Sequence, residues 1–167
     1  QSLQTLSAAN STAARLTRLL GAELQAMLGE HGQVVQALRP SSMVSHWPRP
    51  ELVAVAQSLA HLPDHPATAE VVEQLRQQVG AAPHDAQAWN LLAVLLARQG
   101  QKLAALRAEG EAQLARMDPQ GAQDRFRSAQ DLARQSQLQA ADHIEASIVD
   151  SRVRQTQALL REMQLER

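Results

Sequence analysis

Between Ala88 and Ala112 the chain reads AWNLLAVLLARQGQKLAALRAEGEA, and this stretch limits the fold more than any other. Leu92 and Leu96 stand four residues apart, Leu103 and Leu106 three, so each half lays leucines along one side of a helix. Gly100, between the halves, suits the left-handed residue at which helices end. A strand needs apolar and polar residues in alternation, and no run in the chain sustains it. Of 167 residues 44% are hydrophobic but only 2% aromatic, so the apolar content is mostly alanine and leucine. Those residues favour helix and let backbones approach closely. The expected fold class is all-α.

Proline and glycine cut the remainder into helix-sized pieces. Apolar residues from 3 to 28 fall at helical spacing, either as one helix or as two parted at SAANST, with an end near Gly29. A short helical segment at 34–38 precedes RPSSMVSHWPRPE, a loop in which Pro40, Pro48 and Pro50 forbid a long helix. Pro50 suits a first helical position, which predicts a helix over 51–61; LPDHP interrupts before another over 67–79. Asp85 is placed to cap the helix that ends near Gly100, and the next spans 102–116. Asp118 and Pro119 start a helix reaching about 135, and 139–167, with neither Pro nor Gly, predicts one long helix. At this length a single domain is the expectation, with 1–48 unassigned and 49–167 forming the main helical body.

Charge removes one class of partner. The net charge is −1, and the chain carries four basic and two acidic residues up to Pro50, two and five over 51–101, and ten of each thereafter. No segment offers phosphates a one-signed face, so nucleic acid is not an expected partner. Without cysteine there is no disulfide framework or thiolate metal site. No run approaches the ~20 apolar residues of a membrane span, and none has the order of a signal peptide. The chain begins at Gln1, which is read as a processed or excised start.

The quoted stretch also counts a repeat. A tetratricopeptide unit is about 34 residues of helix–turn–helix, with Trp, Leu and a small residue on its first helix, Gly at the turn, and Ala, a large apolar residue and Ala on its second. Trp89, Leu92, Ala93, Leu96, Gly100, Ala105 and Ala112 take those roles in order, and Pro83 stands where a preceding unit would end. Glu109 departs from the pattern, occupying the place of the large aromatic. Ala122, Phe126 and Ala129 repeat the second-helix triad, with Gly110 as the small residue opposite. The 102–116 helix is therefore expected to serve two neighbouring pairs, giving antiparallel hairpins stacked as a solenoid. Ala141, Ile144 and Ile148 form a stripe expected to cap the Phe126 pair. Ala146, Val149, Val153, Thr156, Leu160 and Met163 form a narrower seam, and beyond about Arg154 it is expected to project or to lie along another surface, the 3–28 helix ahead of a second copy.

The sequence DAQAWNLLAVLLARQGQKLAALRAEGEAQLARMDPQGAQDRFRSAQDLAR, followed by ADHIEASIVDSRVRQ, resembles the C-terminal tetratricopeptide region of periplasmic zinc metallopeptidases of the beta-barrel assembly-enhancing protease type. The resemblance covers 49–161 and rests on Arg107, Ala108, Glu109, Gly121, Ala122, Asp124, Arg125, Ile144, Glu145, Ala146, Ser147, Asp150 and Arg152. It implies a periplasmic location, a catalytic domain outside this chain that holds zinc, and that domain as one partner. The chain itself lacks the H-E-x-x-H string in which two His one helical turn apart hold zinc with Glu as general base. Six histidines remain: His31, His46, His61, His65, His84 and His143. His61 and His65 are four apart, but Pro63 between them keeps them off one helix face, so no metal site, cofactor or catalytic residue is expected in this chain. No G-x-S-x-G turn or phosphate-cradling glycine loop occurs. Asp150 is expected to pair with Arg154 on a solvated face, and His143 with Glu145.

These features point to a non-catalytic interaction domain that takes a protein or peptide on a concave face. Gln87, Asn90, Val94, Ala97 and Arg98 of the first repeat helix are the expected contacts, Asn90 and Arg98 supplying the polar ones. The rival readings are an adaptor or oligomerisation module built on the last helix, and an enzyme in its own right.

Overall fold

The described residues form eight α-helices and no strand. The computed structural model describes residues 2–39, 46–135 and 140–165. The helices are α1 (Ser2–Met27), α2 (His31–Leu38), α3 (Arg49–Leu59), α4 (Thr68–Ala81), α5 (Ala86–Arg98), α6 (Lys102–Ala115), α7 (Pro119–Gln135) and α8 (Ala140–Leu165). None of the described helices is long and apolar enough to cross a membrane. SAANST, at 7–12, does not break α1, which runs through it as one helix. Alanine there is a strong helix former, and with no Pro or Gly in the interval its serines and asparagine do not stop the helix.

Three helices end alike. At Gly29 (φ +79°) and Gly100 (φ +77°) the chain turns left-handed, and the amide of the next residue reaches back five positions: Glu30 to the Gln25 carbonyl, Gln101 to that of Leu96. That closes the exposed carbonyls of α1 and α5. At the end of α6 Met117 takes the same conformation (φ +64°), with Asp118 N–H donating to the Gln113 carbonyl at 2.9 Å.

The chain packs as two units, Gln1–Gln74 and Leu75–Arg167, with the boundary inside α4. In the first, α2 packs on α3 and α1 lies against both. Val34, Val35 and Leu38 of α2, Leu52, Val55, Ala56 and Leu59 of α3, and Trp47 are buried. The Trp47 amide donates to Gln74 Oε1 at 3.1 Å. Arg15 of α1 donates two hydrogen bonds to the Glu51 carboxylate, one of them 2.8 Å, and this holds the Glu51 carboxyl below its ordinary value against the opposing effect of burial. Meanwhile α1 turns Leu16, Leu20, Leu24 and Met27 outward, Leu20 being 61% exposed, and Leu28 just past its end is exposed too.

In the second unit each helix packs on its neighbour in sequence, α5 on α6, α6 on α7 and α7 on α8, with α6 also reaching α8. This is the arrangement of an all-α helical repeat. Leu103, Ala122, Phe126, Ala129, Val149 and Val153 form its core, with Leu106, Leu114, Leu132, Ala133 and Ala146 against them. Phe126 is fully buried and lies so close to Gly110 that a Cβ there would meet ring atoms at 2.7 and 2.8 Å. Only glycine permits α6 and α7 to approach over that ring. The middle helix α6 does serve two neighbouring pairs.

The last helix uses a different stripe from the one expected. Ile144 is 67% exposed, Ile148 is half-buried, and the Ala141 side chain lies outside the described residues. Val149 and Val153 join the Phe126 core instead, with Thr156 buried beyond them, so the narrow seam is the cap; it is covered as far as Thr156, half-buried at Leu160 and exposed over 161–165. Valine has one methylene less than isoleucine and so needs less room at a close helix contact. Asp150 is correspondingly drawn inward, accepting from Gln130 Nε2 at 2.6 Å across the α7–α8 contact rather than facing Arg154.

Candidate partner-binding grooves

The residues expected to meet a partner lie on α5, whose start is fixed by Asp85: its carboxylate accepts the Ala88 amide at 3.1 Å, satisfying one orphan donor of the first turn. Ala88, Trp89, Leu92, Ala93, Leu95 and Leu96 then face inward. The Trp89 indole N–H donates to the Pro83 carbonyl at 2.9 Å, and Arg107 of α6 stands over its ring, 5.6 Å from the centroid. With that face committed, Gln87, Val94, Ala97 and Arg98 are exposed and Asn90 half-exposed.

Two grooves open beside this stripe. Asn90, Ala93 and Val94 of α5, Glu109 and Gln113 of α6 and Arg125 of α7 enclose about 420 Å³. Ala97, Lys102, Ala105, Leu106 and Glu109, with Ser128, Asp131, Leu132 and Gln135 of α7, enclose about 600 Å³. Glu109 borders both, and its carboxylate meets Arg125 Nη1 at 3.3 Å. Asn90, Val94 and Ala97 therefore line grooves, whereas Gln87 and Arg98 line neither. The α6 and α7 walls carry no signal of their own in the sequence except at Glu109. There a carboxylate in place of the repeat's bulky aromatic leaves the space between α5, α6 and α7 unfilled.

Away from the grooves, α6 is bound to α8 by a charged ladder. Arg107 Nε donates to Glu145 Oε2 at 2.5 Å, and Arg152 Nε donates to Glu111 Oε1 at 2.6 Å. Arg107 also lies 4.0 Å from Glu111, itself nearly buried. The sequence places His143 beside Glu145, but the carboxylate goes to Arg107 and His143 stands exposed. Arg107, Glu145 and Arg152 are among the residues that carry the metallopeptidase resemblance, and here they hold two helices together.

The histidines do not form a ligand set. His31 and His61 stack, centroids 4.2 Å apart and rings 8° from parallel, so their in-plane lone pairs cannot converge on one ion. His65 Nδ1 accepts the Ala67 amide at 3.2 Å at the approach to α4. Among the described residues no three His, Cys, Asp or Glu side chains are grouped to hold a metal ion. Compared with known families and with curated proteins, the chain matches no family model and no curated protein.

Proposed function

We propose that this chain is a non-catalytic protein-interaction domain that takes a peptide or helix of a partner against α5, α6 and α7. The observation that supports this is the pair of adjoining grooves sharing Glu109, walled by three helices whose opposite faces are committed to the core. A groove of some hundreds of Å³ with an apolar floor and a few polar groups, as the wider one has in Ala97, Ala105, Leu106 and Leu132, suits side chains of a bound segment.

The wider assignment is to the tetratricopeptide-like region of a periplasmic zinc metallopeptidase, presenting clients to a catalytic domain elsewhere in the parent protein. It rests on the residue resemblance alone. A stand-alone adaptor is the alternative, and the reading frame upstream separates the two. An H-E-x-x-H segment behind a signal peptide supports the peptidase assignment, and an unrelated start removes it.

The interaction reading is tested with a phage-displayed library of random 12-residue peptides selected against the full chain. Enriched peptides should bind the unaltered protein and lose binding to Ala97→Trp, which fills a groove from an exposed position and leaves helicity unchanged by circular dichroism. A library that yields no enriched peptide, or peptides indifferent to Ala97→Trp, overturns the reading.

A further inference from the structure

The charges around the two grooves are not evenly answered. Glu109 has Arg125 at 3.3 Å and Asp131 has Arg134 at 3.8 Å, so each carboxylate of the lining already has an arginine within ion-pair distance. Lys102, in the first turn of α6, is exposed and forms no ion pair with any described residue. The ammonium is thus the one formal charge of the wider groove's lining left without a counter-charge. It also sits at a helix N-terminus, where the backbone amides add positive potential and favour an anion.

The floor beside it is apolar and short. Ala97, Ala105, Leu106 and Leu132 present small or partly buried aliphatic groups, and the Glu109 side chain turns to Arg125 instead of filling the space that a bulky residue occupies in the repeat pattern. A surface of this kind gains most from a large apolar side chain supplied from outside, because it desolvates alanine and leucine without displacing a paired charge.

We propose that the groove selects a partner segment carrying a bulky apolar side chain, seated on Ala105, Leu106 and Leu132, next to an acidic side chain that meets Lys102. The inference rests on the interaction reading above and names the chemistry of its partner. The apolar contact supplies affinity, and the acidic residue supplies selection, since a basic residue in its place meets Lys102 with like charge.

The probes are the 12-residue peptides enriched on the unaltered chain, resynthesised with a fluorophore and titrated by anisotropy at low salt against three full-length proteins: unaltered, Lys102→Glu and Lys102→Arg. The enriched sequences should combine Leu, Phe or Trp with Asp or Glu. Their affinity should fall about five- to tenfold on Lys102→Glu, stay near the original on Lys102→Arg, and weaken as salt is raised. Selection repeated on Lys102→Glu should exchange the acidic residue for Lys or Arg. Peptides that are lost on Ala97→Trp but indifferent to Lys102→Glu, or that carry basic residues from the start, overturn this inference while the interaction reading stands. Absence of any enriched peptide overturns both.

Discussion

Helices α1 and α6 are built from similar material, alanine and leucine at helical spacing, yet they dispose of it in opposite ways. In α6, Leu103, Ala104, Ala105, Ala108, Gly110 and Ala112 are all buried, because α5, α7 and α8 approach it from different directions. In α1 the leucines at 16, 20 and 24 stand outside, while Ala22 and the Arg15 that reaches Glu51 lie on the side facing α2 and α3. Periodicity says which residues share a face. It does not say which face a neighbour will cover.

That difference is most easily broken from the crowded side. Trp89→Ala and Phe126→Ala should each cost ~3–5 kcal/mol as large-to-small changes in a packed core, read from urea unfolding followed by circular dichroism. A loss under ~1 kcal/mol for Trp89 with peptide binding impaired would make it a ligand contact instead. Gly110→Ala should cost ~1–3 kcal/mol through overpacking against the Phe126 ring, and Phe126→Leu in the same chain should recover part of it. Equal stability of Gly110→Ala and the parent would mean that α6 and α7 do not approach as closely as the structure places them.

The sparse side responds to charge. Because the Glu51 carboxyl is held below its unfolded value by Arg15, the pair stabilises the folded first unit above the unfolded value, and this is lost as pH falls through the lower, folded one. Trp47, buried in this unit, reports the change by fluorescence: its unfolding midpoint should drop on acidification, and Glu51→Gln should flatten that part of the profile. A profile unchanged by Glu51→Gln would show that other carboxylates set the acid limit. Met117→Gly, which relieves a left-handed non-glycine residue at the end of α6, should raise the melting temperature slightly, the gain partly offset by glycine's larger entropy in the unfolded chain. Least of all, Leu20→Ser on the outer face of α1 should change stability by no more than ~0.5 kcal/mol. A larger loss in the isolated chain would place that leucine in contact with something.

Much of the second unit is legible residue by residue. Gly110 opposite Phe126, Asp85 as a cap, the end at Gly100 and the break at Asp118–Pro119 each follow from a local requirement: space, an orphan amide, a left-handed turn, a fixed φ. The grooves were half legible. Asn90, Val94 and Ala97 follow from the α5 stripe, whereas Lys102, Arg125, Ser128 and Asp131 come from helices whose faces the sequence does not orient toward α5. The outcome on α8 has the same cause. Both of its stripes are helical and apolar, and only the approach of α7 chose Val149 and Val153 over Ile144.

By itself, then, the sequence determined the all-α class, the helix limits to within a few residues and the small residues that permit close approach, because propensity, capping and proline act within a turn or two of chain. Tertiary structure decided which stripe of α1 and of α8 is covered, how Glu109 and Arg125 meet between the grooves, and that Arg107, Glu111, Glu145 and Arg152 form one ladder across α6 and α8. Those choices depend on the direction from which a second helix arrives, and no spacing within a single helix encodes that direction.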